Sequence, residues 1–236
     1  MTGIAKVWHQ HLGSGVERSL FQAGYAHIPQ VLSAQECREL RTLSSQKHMF
    51  RHHIVMERHR LGQGDYAYFA DPLPPLVATL RTTLYTFLAP LANAMMEALQ
   101  AADRYPRTLE AFRRQCRRAG QTRPTPLLLH YTAGGFNCLH RDIYGPLVFP
   151  LQAMIMLSQP GKEFTGGEFV LVENLPRQQA RAIVLSPGLG DMIIFPVHTR
   201  PVPGKRGMRK ASIRHGVSPI LSGTRWVLGI IFHDAT

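Results

Sequence analysis

Residues 138–150 read CLHRDIYGPLVFP. His140 and Asp142 stand two positions apart, with an apolar run close behind them. On an extended segment, side chains at i and i+2 point to the same face. One strand would then present an imidazole nitrogen and a carboxylate oxygen side by side. An isolated H-x-D arises often by chance, so its meaning depends on what surrounds it.

Beyond Pro126 the chain is built of short apolar runs separated by turn residues: PLLLHY, LVFPLQAMIMLS, GGEFVLVEN, RAIVLS, GDMIIF, SIRHGVSPI and RWVLGIIF. Seven or eight short strands in this span predict a β-sandwich or barrel. The first half reads helical. In LSAQECRELRTLSS, Ser33 and Glu36 have the spacing of a capping box, predicting a helix over 34–45. Residues 76–102 carry apolar side chains at helical intervals, and Pro90 within them predicts a kink or a break into two helices. Ahead of the first helix, GYAHIPQVL suits a short strand, and between the two helical stretches RHHIVMERHRLGQGDYAYFADPLPP suits an irregular or hairpin segment. The expectation is one α+β domain over 1–236, with a helical layer at 1–125 packed on a β-rich core at 126–236.

With 236 residues, 44% hydrophobic and 18% charged, the chain has the composition of a folded protein rather than a disordered or fibrous one. No run approaches the roughly 20 apolar residues of a membrane span, and the first fifteen residues lack a secretory pattern, so a soluble cytoplasmic protein is expected. Cys37, Cys116 and Cys138 are too scattered for a disulfide framework or a four-thiolate zinc site. Lys and Arg number 27 against 15 Asp and Glu, a net +12 that favours polyanionic partners.

The second half of the constellation lies in HGVSPILSGTR, residues 215–225. His215 supplies a third ligand to join His140 and Asp142. Two imidazoles and one carboxylate occupy one face of an octahedron, the arrangement associated with non-haem Fe(II) oxygenases. Arg225, ten residues on, offers a guanidinium fork for the far carboxylate of a chelating oxo-acid. His198 is a rival third ligand. It lacks an arginine ten residues later and is followed by Pro201 and Pro203, so His215 is preferred.

Taken together, HYTAGGFNCLHRD, GGEFVLVE, GDMIIF and HGVSPILSGTRWVLGIIF resemble the 2-oxoglutarate- and Fe(II)-dependent dioxygenases over residues 128–234. LHRDIYGPLVFPLQAMIMLSQPGKEFTGGEFVLVE, LGIIFHD and GQGDYAYFADPLPPLV are similar to a prokaryotic AlkB-like family proposed to act on damaged DNA. The resemblance implies a double-stranded β-helix (jelly roll, cupin-like) and Fe(II) and 2-oxoglutarate as cofactors, with O₂ as co-substrate. It also implies His140, Asp142 and His215 as metal ligands, Arg225 on the 2-oxoglutarate C5 carboxylate, and Tyr131 as a hydrogen-bonding partner of the co-substrate. Unlike the pattern, a long insertion, PVHTRPVPGKRGMRKASIR, separates GDMIIF from His215.

That insertion carries Arg200, Lys205, Arg206, Arg209 and Lys210, and residues 104–123 carry seven arginines against Glu110. These two segments, 104–123 and 200–210, are candidates for gripping DNA or RNA phosphates, with solvated surface as the bland alternative. Tyr66 and Tyr68 are candidates to stack a base, and Arg141 and Tyr144 to line the substrate side. Three readings follow: oxidative demethylation of alkylated nucleic acid in DNA repair; hydroxylation of a protein side chain or small molecule with the same cofactors; and a metal-binding jelly roll without turnover.

Overall fold

The computed structural model describes residues 14–205 and 207–236. The stretch read for a secretory pattern lies largely in residues 1–13, outside the described residues, as does Arg206 of the basic insertion.

Helix α1 (Ser14–Gln22) leads through strand β1 (Ala26–Ile28) into α2 (Ala34–Thr42). The capping box at Ser33 is present. The Ser33 hydroxyl accepts from the Glu36 amide, and the Glu36 carboxylate accepts from the Ser33 amide at 2.8 Å. Strands β2 (Phe50–Val55), β3 (Gly62–Gln63) and β4 (Asp65–Phe69) precede the long α3 (Pro75–Ala98) and α4 (Leu109–Arg118). Ten strands follow: β5 (Leu127–Thr132), β6 (Phe136–His140), β7 (Leu151–Met156), β8 (Phe164–Gly166), β9 (Phe169–Asn174), β10 (Arg181–Leu185), β11 (Met192–Pro196), β12 (Thr199–Gly204), β13 (Gly207–Val217) and β14 (Ile220–Ile230).

The strands form two antiparallel sheets. The larger runs β1-β11-β7-β14-β5-β4-β2, with β8 on the outer part of β14. The smaller runs β10-β9-β13-β6-β3, with β12 on β13. This is a double-stranded β-helix with helices on the outside of the larger sheet, an α+β architecture. The first 125 residues contribute four strands as well as helices. β1 pairs β11 at one edge of the larger sheet, and the β2–β4 hairpin extends the other edge through β5.

Strict alternation explains why β7 and β11 are buried on both faces. Leu151, Ala153, Ile155, Met192 and Ile194 join the helical layer, where Val77, Leu80, Leu84 and Leu88 of α3 meet Leu228 and Ile230. Met154, Met156, Ile193 and Phe195 face the smaller sheet, meeting Phe169, Leu171 and Ile213. The site lies on this inner side.

Pro90 does not break α3, which is continuous from Pro75 to Ala98. A proline removes one helical N–H and costs about 3 kcal/mol in a helix interior. Here Pro90 and Thr86, four residues earlier, are both exposed, so water can take the freed Thr86 carbonyl. Ten buried residues on the same helix hold it together through tertiary packing.

A charged knot ties the chain's end to the helices. Asp234, wholly buried, accepts from Arg81 Nη2 on α3 at 2.7 Å and from Arg113 Nε on α4 at 3.0 Å. Arg81 also donates to the carbonyls of Ile231 and Phe232, at 3.0 and 2.9 Å. No helix among the described residues is long and apolar enough to cross a membrane.

Removing one partner of this knot leaves a buried charge uncompensated. Asp234→Ala is expected to destabilise the protein by about 3–5 kcal/mol, read from the urea unfolding midpoint. A loss below about 1 kcal/mol would show that water reaches Arg81.

Candidate active site

Antiparallel register builds the centre of the site. In the pairing of β13 with β6, His215 sits directly opposite His140. Asp142 follows two residues after His140, where the chain leaves β6. The three side chains converge, with ligand-type atoms all within 4.8 Å of one another. His215 Nε2 lies 3.2 Å from Asp142 Oδ2, and His140 Nε2 lies 3.6 Å from Asp142 Oδ1.

The surroundings hold each member in place. His140 Nδ1 lies 2.7 Å from the Cys138 carbonyl, a contact it makes as the N–H donor, which turns the Nε2 lone pair inward. The Tyr144 hydroxyl donates to Asp142 Oδ1 at 2.6 Å, leaving Oδ2 toward His215. His233 accepts the Phe149 amide on Nδ1 at 3.3 Å and so donates from Nε2 to the Asp142 carbonyl, at 3.1 Å. Burial holds His233 down to about 4, so this ring is neutral at physiological pH. Burial alone would raise the Asp142 carboxyl, but the imidazoles of His215 and His140 bring it well below the usual carboxylate range. The cluster therefore offers an anionic oxygen among imidazole nitrogens, a donor set that fits Fe(II).

Arg225 lies on β14 opposite Tyr131 of β5, and both side chains are fully buried on the inner side. Its guanidinium carbon is 5.5 Å from the Tyr131 ring and 5.9 Å from the Phe164 ring. Its Nε and Nη2 are buried without a hydrogen-bond partner among the described residues. Burial lowers its pKa to about 10, still charged at neutral pH. A buried guanidinium without a carboxylate is costly, and the far carboxylate of 2-oxoglutarate would complete it. Gly167 makes room for this side chain. A Cβ there would lie 2.3 Å from Ile220 Cδ1 and 3.0 Å from Arg225 Cδ, and its φ of +65° favours glycine.

His140, Asp142, His215, Tyr131 and Arg225 line one cavity of about 220 Å³. Tyr66, Tyr68, Tyr144 and Arg141 line it too. Tyr68 meets Tyr66 and Tyr144 edge-to-face, with centroids 5.4 and 6.0 Å apart. Burial raises the pKa of all three tyrosines, so they are neutral phenols at physiological pH. Two expectations are refined. Tyr144 touches the Asp142 carboxylate as well as lining the cavity, and Arg141 is tied to β13, donating to the Ile213 carbonyl at 3.0 Å and Ser212 Oγ at 2.6 Å. His198 lies outside the cavity, beside Thr199 and Lys210.

The basic segments are not uniformly free. Arg200 is buried and donates to Glu173 at 2.6 Å and to the Phe21 carbonyl at 2.8 Å, so it is a scaffold residue rather than part of a gripping loop. Arg113 serves the Asp234 knot, and Arg114 pairs with Glu110 one turn away. Sequence reading missed Arg51, whose guanidinium carbon stacks 4.4 Å over the Tyr68 ring while Nε donates to the Pro124 carbonyl at 2.8 Å. It also missed the roles of Tyr144 and His233 around Asp142. The only signal for Tyr144 was its position two residues beyond Asp142.

A family model described as oxygenases catalysing oxidative methylation of damaged DNA matches residues 64–235. The chain belongs to this oxygenase family. Two Mycobacterium tuberculosis proteins, one from each of two strains, are 42% identical over 167 residues, covering 71% of this chain and 72% of theirs. Among solved structures, a Pseudomonas putida prolyl-4-hydroxylase is similar with TM-score 0.54 and 14% identity, covering 91% of this chain and 94% of that one. A Burkholderia pseudomallei oxidoreductase of the 2OG-Fe(II) oxygenase family gives 0.51 and 15%, covering 100% and 94%. At such identities these likenesses speak for the fold, and this member of the oxygenase family has the fold of the 2-oxoglutarate- and Fe(II)-dependent enzymes.

Partners of a metal-binding carboxylate typically contribute 10- to 100-fold to metal affinity. Tyr144→Phe is expected to weaken Mn(II) binding by about tenfold with the melting temperature unchanged, measured by the loss of the free-ion paramagnetic resonance signal. Unchanged affinity would mean the Tyr144 hydroxyl does not orient the carboxylate.

Proposed function

We propose that the protein is an Fe(II)- and 2-oxoglutarate-dependent dioxygenase that hydroxylates N-alkyl groups on damaged nucleic acid. One observation carries the reading: a single cavity joins a two-imidazole, one-carboxylate cluster to a buried guanidinium with no partner among the described residues. His140, Asp142 and His215 would hold the iron. Arg225, with the Tyr131 hydroxyl, would hold 2-oxoglutarate. Bound there, iron and 2-oxoglutarate supply activation of O₂ and hydroxylation of a C–H bond.

The chain's own residues position and protect. The Cys138 carbonyl and the Tyr144 hydroxyl orient two of the ligands. Arg225 neutralises the co-acid in an apolar enclosure, where a guanidinium acts as a two-pronged donor. Leu129, Phe169 and Val227 on the cavity wall keep water from the reacting carbon. An N-methyl group hydroxylated at carbon becomes N–CH₂OH, which breaks its C–N bond, returns the proton to nitrogen and leaves as formaldehyde.

The family description and the tyrosine-lined wall support nucleic acid as substrate. Tyr66 and Tyr68 offer neutral aromatic surfaces to a base drawn out of its stack, as enzymes acting on bases require. The second reading, hydroxylation of a protein side chain or small molecule, is favoured by the ten-residue interval from His215 to Arg225, which resembles that of prolyl hydroxylases.

Protein incubated with Fe(II), 2-oxoglutarate and air is expected to form succinate, severalfold faster with N-methylated single-stranded DNA, releasing formaldehyde in step. His140→Ala should abolish both products. Succinate indifferent to the oligonucleotide would favour the second reading, and none at all would overturn the enzymatic one. Arg225→Lys is expected to raise the KM for 2-oxoglutarate by roughly tenfold or more at similar kcat.

A further inference from the structure

The two basic segments, far apart in sequence, meet at a second cavity of about 260 Å³. Arg104 and Gln115 come from the first segment and Lys210 from the second, with His198 and Asp103 also on the walls and Phe112 on the floor. Arg104 Nη1 donates to the carbonyls of Ala101 and Asp103, both at 2.7 Å, which fixes where its charge sits. Neither Arg104 nor Lys210 has a carboxylate within salt-bridge distance among the described residues, and the local balance of two cations against Asp103 is positive. His198 Nδ1 has no hydrogen-bond partner among the described residues, so nothing there pins the ring.

The groove follows the active cavity along the chain. Pro146, Leu147 and Val148 line it, and they continue the loop that carries Asp142. Four residues separate Asp142 from Pro146 and span at most about 14 Å, so the groove begins within reach of a strand whose base sits in the active cavity. Cations mark the way between. Arg141, on the wall of the active cavity, bonds Ser212, which lies two residues from Lys210 on β13. Burial first, then the charges of Lys210 and Arg141, lower the pKa of His198, which shares the lining of the groove with Lys210.

We infer that this groove is a phosphate-binding subsite for the substrate strand: with the modified base in the active cavity, single-stranded DNA runs past Arg141 and seats a backbone phosphate between Arg104 and Lys210. Asp103 faces the same space and offsets part of their charge. The inference rests on the nucleic-acid reading above and adds to it a place and a length. A strand of about ten nucleotides can fill the active cavity and the groove at once, whereas one of three carries only two internucleotide phosphates to offer the groove.

The test uses fluorescence anisotropy with N-methylated single-stranded DNA of three and of ten nucleotides, on the full chain loaded with Mn(II) and 2-oxoglutarate. For the wild type, the ten-mer is expected to bind tighter than the trimer. Arg104→Gln with Lys210→Gln should remove most of that difference and lower the salt slope for the ten-mer by about 1. Lys210→Arg should keep both, and an unchanged melting temperature shows that the variants fold. Wild-type binding that the double variant leaves intact would overturn the groove and spare the nucleic-acid reading. If the wild type binds neither oligonucleotide, both fall. Inorganic phosphate that shifts the His198 imidazole resonances where the ten-mer does not would mark a site for a free anion and overturn the strand path.

Discussion

The pairing of β13 with β6 sets His215 opposite His140, and the site depends on that register. A slip by one residue would turn every side chain of β13 to the other face, sending His215 into solvent and Ile213 out of the core. The register is protected from both sides. β9 pairs β13 over Ser212–Val217, and Ile213 packs between the sheets with Leu171 and Phe195. Hydrophobic alternation that stabilises the smaller sheet therefore also fixes the distance between two imidazoles. Asp142 needs separate support because it lies just past the end of β6. Tyr144 and His233 supply it, and His233 is itself placed by the end of the chain that Arg81 and Arg113 anchor through Asp234. A path of contacts thus runs from the helical layer to the carboxylate.

Arg225 represents the opposite balance. Burial removes water from its guanidinium, and the described protein returns no hydrogen bond, so the folded state carries a desolvation cost that a better-packed side chain would avoid. Retaining such a group is the kind of exchange of stability for function that sites make. The cost is limited by the Tyr131 and Phe164 rings, whose faces favour a cation, and by the field of Glu168 nearby. Gly167 shows how tightly the pocket is built around the side chain, since one methyl there would strike Ile220 and crowd Arg225.

Local patterns carried much of this into the sequence. The capping box at Ser33 and the apolar runs MIIF and LQAMIM are short-range features that fold as their patterns imply, and His140 and Asp142 converge as their spacing suggests although Asp142 lies just past the end of β6. Long-range outcomes were not legible. The effect of Pro90 depended on which face of α3 met the core, and a helical pattern does not say how much packing will compensate for one lost bond. Arg200 read as a loop cation because Glu173, its partner, is 27 residues away on another strand. The β2–β4 hairpin joined the larger sheet through an edge offered by β5, about 60 residues later. Tyr144 sat in plain view beside Asp142, but its contact with the carboxylate required the turn after β6 to fold back.

The same distinction governs the charge. A net +12 says that the surface favours anions, yet the arginines divide by environment into two populations. Arg81, Arg113 and Arg200 are held by buried or half-buried carboxylates and hold the helices and sheets together, so they contribute little to an outside field. Arg51, Arg104, Arg141 and Lys210 have no such carboxylate within salt-bridge distance among the described residues; Arg104, Arg141 and Lys210 line the two cavities, and Arg51 stacks on Tyr68 of the active one. Salt screens exposed charges over about 8–10 Å, so a cation helps to bind a strand only if it lies within that range of a phosphate. What matters for a polyanion is therefore where the uncompensated cations stand relative to the cavities, which the pairing of distant strands decides and composition does not.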